Sequence, residues 1–175
     1  HHNIENYMAA VGALRGIANA DSVHAVASTF TGVEHRCELV GERGGIRYYN
    51  SSIDSSPTRT IAALGNFAPR SIILICGGYD KHIPYDVLGQ PICDHVKLLL
   101  LTGATAPKIR ECVENIEGEH PPIIEVENLE TAVQEAAARA ESGDVVIMSP
   151  ASASFDRFKN FMERGKLFKA LVEEL

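Results

Sequence analysis

Positive charge is in short supply in this chain. Sixteen lysines and arginines stand against twenty-three aspartates and glutamates, a formal net charge of -7 at pH 7. That argues against a general nucleic-acid or membrane-surface role, which needs a basic face, and any anion site has to be local. Tryptophan is absent, and there is neither a run of about 18 apolar residues nor a signal-peptide pattern, so nothing in the sequence spans or crosses a membrane. The four cysteines, Cys37, Cys76, Cys93 and Cys112, show no C-x-x-C spacing, and Cys76 lies inside the apolar run "IILIC". They read as reduced thiols of a cytoplasmic protein, with metal ligation the second reading. Also missing are a G-x-G-x-x-G after a strand and a G-x-x-x-x-G-K-[ST], so the chain has no dinucleotide fingerprint and no phosphate loop of its own. His24, His82, His95 and His120 lack ligand spacing such as i, i+4 and read as surface or structural residues.

What is present is enough apolar material, 45% of 175 residues, for a sizeable core in one domain or slightly more. "NIENYMAAVGALRGIA" carries Ile4, Met8, Val11 and Leu14 at a helical period, and "SVHAVASTF" repeats it after a break at 19 to 22. The chain opens with a helix already under way, as a piece of a longer protein would. A composition shift at Thr31-Gly32 places a boundary there, giving segments 1 to 32 and 33 to 175. "CELVGERGGIRYYN" alternates and turns at Gly44-Gly45, a hairpin signal.

From Pro57 the pattern predicts helix 57 to 67, strand "SIILIC", a helix near 85 to 95, strand "KLLLLTG", helix "TAPKIRECVENI", strand "IIEV", helix "LETAVQEAAARA", strand "DVVIMS" and a helix from 155 to 174. Short apolar strands alternating with amphipathic helices give a Rossmann-like α/β fold, a mostly parallel sheet covered on both faces. Ligands of such sheets collect at the carboxyl ends of the strands. The loops to weigh are therefore "NSSIDSSPTR", "GGYDKH", "TGAT", "ENLE" and "SPASASFD".

Each carries a chemical and a plain reading. In "SPASASFDRFKNF", Ser152 or Ser154 can cap a helix with Asp156 in its first turn and Phe155, Phe158 and Met162 on one face. The free N-H groups there make a small anion cradle, or the segment is only a capped helix with core phenylalanines. Lys81 follows two glycines after a strand and is either a point charge for a carboxylate or phosphate, or a solvated loop lysine. Arg36 in "HR" is either a phosphate clamp or a surface arginine. The hydroxyl-rich stretch 50 to 59 is either a ligand loop or a strand-to-helix connection capped before Pro57.

Taken together, "HN" at His2-Asn3, "FTGVEHRCE", "YYNSSIDSSPTRTIAAL", "GGYDK" and "GDVVIMSPASASFDRFKNFMERG" resemble the C-terminal part of the Mur ligases of bacterial peptidoglycan synthesis, over essentially the whole chain. The run ending "FKNFMERG" points to the branch that adds D-glutamate. The resemblance implies a three-domain ATP-dependent enzyme: residues 1 to 32 would end its central domain, which holds the phosphate loop and the Mg2+ ligands. Residues 33 to 175 would be the Rossmann-like C-terminal domain. It further implies that the carboxylate of UDP-N-acetylmuramoyl-L-alanine is activated as an acyl phosphate and attacked by the amine of D-glutamate. Asn3, Arg36 and Ser51 would then face ATP, and Ser55, Lys81, Ser154, Phe155 and the backbone of Phe161 would hold D-glutamate. No catalytic residue falls within the chain, whose part is positioning, and by itself it would be inactive.

The loop departs from the pattern N-D-S-K-A-T-N common in the family. Ser51 stands for the aspartate, Ile53 for the lysine, Ser55 for the threonine and Ser56 for the second asparagine. Two other readings stay open: a non-catalytic α/β module that binds an acidic amino acid or a nucleotide, and an amide ligase of the folylpolyglutamate synthase kind.

Overall fold

The structure is a computed structural model that describes residues 2 to 30 and 32 to 175, with side chains described from residue 5 onward. It forms two compact units, His1–Val33 and Glu34–Leu175.

The first unit is a pair of helices, α1 (His2–Ala13) and α2 (Ala20–Thr29). Asn19 starts α2 with a capping box: its side chain accepts from Ser22 N, and the Ser22 side chain answers the backbone of Asn19. Tyr7 and Phe30 meet edge to face at 6.4 Å. No described residue of this unit is buried, and Met8, Val11, Leu14, Ile17, Val26 and Phe30 are exposed.

In the second unit β1 (Glu38–Arg43) and β2 (Ile46–Asn50) make the antiparallel hairpin expected around Gly44-Gly45. They are followed by α3 (Pro57–Leu64), β3 (Ile72–Cys76), a single 3-10 turn at Asp86–Leu88, α4 (Gly89–His95), β4 (Val96–Leu101), α5 (Ala106–Glu114), β5 (Ile123–Glu125), α6 (Leu129–Arg139), β6 (Val145–Met148) and α7 (Phe161–Glu173). The six strands lie in the order β1-β2-β6-β3-β4-β5, all parallel except β1.

Every residue of β3 and β6 is buried, which is why both read as unbroken apolar runs. Alternate residues serve opposite faces. Ile72, Leu74, Leu99, Val145 and Ile147 pack under α3, α4 and α5, with Leu64, Ile92 and Ile109. Ile73, Ile75, Leu98, Leu100, Val146 and Met148 pack under α6 and α7, with Val133 and Phe168. Parallel pairing brings the ends of the central strands level, Asn50 beside Met148 and Cys76 beside Leu101. The loops that follow β2, β3 and β6 therefore leave the sheet at one edge, side by side.

The last helix departs from expectation. It starts at Phe161 and not at 155, and its cap is Asn160, whose side chain accepts from Glu163 N. Residues 151 to 160 form an irregular loop, with Ala151 at a φ of 54°. Ser152 and Ser154 cap nothing in α7, Asp156 lies in an isolated turn over 154 to 158 and not in α7, Phe155 is 65% exposed, and Met162 is exposed too. A serine-rich stretch after a strand imitates a cap signal, but these serines are buried for another purpose.

Candidate functional site

The loop after β2 turns its polar groups inward. Asn50 is fully buried: its Nδ2 donates to Glu38 Oε2 (3.1 Å) and lies 2.8 Å from His35 Nδ1, while its Oδ1 accepts from Ser52 N (3.1 Å). Ser51 Oγ accepts from Cys37 N (3.1 Å), and Ser52 Oγ donates to the carbonyl of Phe161 (2.7 Å). Asp54 is 5% exposed and accepts from Ser149 Oγ (2.8 Å), which also lies 2.9 Å from Thr60 Oγ1. Burial pushes the Asp54 carboxyl above the usual carboxylate range, against hydrogen bonds from Ser51 and Ser149 and the charges of Arg59 and Arg36. Ser56 makes no capping bond to α3, which begins on Pro57. Most of the hydroxyls in 50 to 59 thus hold the loop itself, and Ser55, half-buried, is left at its rim.

The loop after β3 approaches its neighbours closely. Gly77 has a φ of 108°, and a Cβ there would sit 2.0 Å from the carbonyl oxygen of Thr102, so no other residue fits. Tyr79 bridges to Ala153 of the β6 loop. Asp80 pairs with Lys108 at 2.6 Å, and that hydrogen bond, helped by the His82 N-H, draws its carboxyl below the usual range. Lys81 is exposed and makes no ion pair among the described residues. A buried hydroxyl chain fastens this loop to the next: Tyr85 OH lies 2.9 Å from Ser152 Oγ, Ser152 Oγ lies 2.8 Å from Thr105 Oγ1, and Thr105 Oγ1 accepts from Gly78 N (3.1 Å).

One side chain joins the loop after β6 to the loop after β2. Arg164, on the first turn of α7, is 5% exposed. Its Nε donates to Ser52 Oγ (3.1 Å), Nη1 to the Ala153 carbonyl (3.1 Å), and Nη2 to the carbonyls of Ser52 (2.9 Å) and Ser152 (3.1 Å). Burial lowers its pKa to about 10, which leaves it charged at neutral pH. A small pocket beside it is lined by Gly77, Gly78, Thr102, Asp156, Arg157 and Phe158.

Of the residues singled out in the sequence, Ser55, Lys81, Ser154 and Phe155 lie on these three loops, and Phe161 begins α7. Ser154 is 2% exposed, and Phe155 is exposed, edge to face with Tyr79 at 6.1 Å. The Phe161 carbonyl is engaged by Ser52, and its ring packs against His35. Ser51 is 1% exposed with its hydroxyl held internally; Arg36 is exposed near the loop. Asn3 lies in α1, and its side chain is outside those described. The tie residues Ser52, Tyr85, Thr105, Ser152 and Arg164 were not singled out as site residues, because each acquires its role only from partners far away in the chain.

The cysteines are free. Burial pushes the Cys37 thiol up to about 11 and the Cys76 thiol to about 12, so neither is a nucleophile at neutral pH. Among the described residues one cluster, Glu34, His35 and Glu38, has metal-ligand atoms close together. Lys169 Nζ already sits 3.0 Å from Glu34 Oε1 and 2.7 Å from Glu38 Oε1, so the cluster is charge-compensated and does not fit a Mg2+ site. No described helix is long and apolar enough to cross a membrane.

A mostly parallel sheet covered by helices, with its polar loops gathered at the carboxyl ends of the strands, is a Rossmann-like α/β domain. Residues 35–152 match the family described as Mur ligase, glutamate ligase domain, and the chain belongs to that family. The UDP-N-acetylmuramoylalanine--D-glutamate ligase of Acetivibrio thermocellus is 52% identical over 99% of the chain. The chain spans 38% of that relative's length. The UDP-N-acetylmuramoylalanyl-D-glutamyl-2,6-diaminopimelate--D-alanyl-D-alanyl ligase of Acinetobacter baumannii has the same fold, with a TM-score of 0.65 over 95% of this chain and 37% of its own, at 13% identity. The folylpolyglutamate synthase of Mycobacterium tuberculosis, solved with ADP and AMPPCP, follows at a TM-score of 0.58 over 92% of this chain and 38% of its own, at 18% identity.

Proposed function

We propose that this chain is the substrate-positioning C-terminal part of an ATP-dependent amide ligase that adds D-glutamate to UDP-N-acetylmuramoyl-L-alanine in peptidoglycan synthesis in the cytoplasm. The observation that carries the reading is the joining of the loops after β2, β3 and β6 into one braced edge, with the unpaired ammonium of Lys81 at its rim. D-Glutamate has two carboxylates. Lys81 would take one, and Ser55, Ser154 and the backbone at Phe155 and Phe161 would offer short hydrogen bonds to the rest. Arg36, exposed beside the β2 loop, and Asn3 would face ATP. Ser51, whose hydroxyl is occupied, would act on the nucleotide only by holding the loop that does.

In this reading the domain brings the D-glutamate amine against an acyl phosphate formed on the other domains, so its contribution to rate is orientation. ATP and Mg2+ serve the activating step, and the Mg2+ ligands belong to the central domain. The two helices of His1–Val33 are the last of that domain, and its remainder would cover their exposed apolar side chains. The 52% identity to a D-glutamate ligase favours this reading over a folylpolyglutamate synthase, to which only the fold is similar.

The test is ADP formation by the full-length protein with UDP-N-acetylmuramoyl-L-alanine, with and without D-glutamate. Dependence on D-glutamate is expected, and ADP formed equally well without it would sink the reading. The isolated chain is expected to release no phosphate from ATP above a boiled control.

Within the full-length protein, Lys81→Ala is expected to weaken D-glutamate by about 1.5 to 3 kcal/mol, the usual worth of a charge-assisted contact, with the KM for ATP little changed. Unaltered D-glutamate kinetics would make Lys81 an ordinary loop lysine.

A further inference from the structure

The structure assigns a positioning role to Arg164: it sets the spacing between the two loops that carry Ser55, Ser154 and Phe155, and through Ser52 it sets the height of Phe161. The inference rests on the D-glutamate reading above.

A guanidinium that is 5% exposed is costly, and none of its hydrogen bonds goes to a carboxylate. Asp156 and Asp54 act on it through charge alone, without a hydrogen bond. An apolar side chain in its place would strip the buried Ser52 and Ser152 carbonyls and the Ser52 hydroxyl of a donor. What the planar fork adds is geometry: three carbonyls and one hydroxyl, from two loops about a hundred residues apart in sequence, are held at 2.9 to 3.1 Å by one rigid group.

The residues it holds are adjacent to the ligand candidates. Ser152 and Ala153 immediately precede Ser154 and Phe155, and Ser52 lies in the same short loop as Ser55. Ser52 Oγ takes the Arg164 Nε hydrogen and passes its own to the Phe161 carbonyl, at the start of the helix that carries Arg164. The remaining candidate, Lys81, belongs to a loop tied to the same Ser152 through Thr105 and Gly78. A displacement of Arg164 is thus felt at every proposed D-glutamate contact. The buried charge adds a second effect: it lies under the loops that receive an amino acid with two carboxylates, and salt screens it far less than it screens Lys81.

Lysine keeps the charge but cannot reproduce the fork, which separates geometry from electrostatics. In the full-length ligase, Arg164→Lys is expected to raise the KM for D-glutamate roughly tenfold or more while the KM for ATP stays within about twofold. Ser52→Ala, which leaves Arg164 in place and removes its Nε acceptor and the tie to Phe161, is expected to shift the same constant in the same direction by a smaller factor. It also serves as the variant to measure should Arg164→Lys not fold. Parent and Lys81→Ala are assayed alongside. If the parent shows no D-glutamate dependence, the functional reading fails. If Lys81→Ala raises the D-glutamate KM while the folded Arg164→Lys, or in its place Ser52→Ala, leaves it unchanged, or moves the ATP and D-glutamate constants equally, the positioning role is overturned and Arg164 is a strut of the fold.

Discussion

Ser51→Asp is expected to destabilise the domain by about 3 kcal/mol or more, although it installs the residue common at this position in the family. Ser51 is 1% exposed and its side chain bonds to Asp54, itself 5% exposed. A second carboxylate there would face the first in a place where burial already holds one of them above its usual pKa. The double variant Ser51→Asp with Asp54→Ala keeps a single carboxylate and is expected to recover most of the loss. Thermal melting of the four members of this cycle checks it: coupling above about 0.5 kcal/mol is expected, and additive effects would show that the two positions do not communicate.

The sign with pH follows from the raised carboxyl. A carboxyl whose folded pKa lies above its unfolded value contributes stability that is full below the unfolded pKa and is lost as pH rises through the folded one. The Ser51→Asp penalty is therefore expected to shrink on acidification towards pH 4 and to be largest at neutral pH. Asp54 is the one carboxylate of this loop, and it accepts from Ser149.

Gly77→Ala is the second large effect, expected at about 3 kcal/mol or more from a forced φ and an overpacked contact together. Its Cβ would stand 2.0 Å from a backbone oxygen, which cannot rotate away. Gly118→Ala is the control: Gly118 has nearly the same φ, 111°, with open space around it, and should lose only the conformational part. The gap between the two melting temperatures measures the close approach of the β3 loop to Thr102. Equal losses would show that the backbone angle alone matters.

The sheet was legible because its residues answer to local rules. "IILIC" and "VVIM" are apolar at every position since both faces are covered, and "ERGGIR" turns where two glycines permit it. The start of α7 was not, because "SASFD" satisfies the local cap rule while distant groups decide the outcome. Ser152 is taken by Tyr85 and Thr105, and the Ala153 carbonyl by Arg164, so the chain makes only one turn over 154 to 158 and the helix itself waits for Asn160. Lys81 and Arg36 could be noticed as charges beside strand ends. Arg164 could not, for a lone arginine in "MERG" reads as one more polar residue of a surface helix, and only the fold brings it beneath Ser52.

The sheet separates two kinds of connection. Those that follow β2, β3 and β6 are cross-braced, while those that enter the strands, at Gly44-Gly45, around Gly118 and at 140 to 144, lie at the opposite edge. There Lys97 pairs with exposed Glu141 and with buried Asp144, and Gly143 N donates to the Gly45 carbonyl. The turn around Gly118 has open space about it. Fluorophores, affinity tags or short inserted peptides can be seated at that turn with the working edge undisturbed, and sequence divergence among relatives is expected to collect there first.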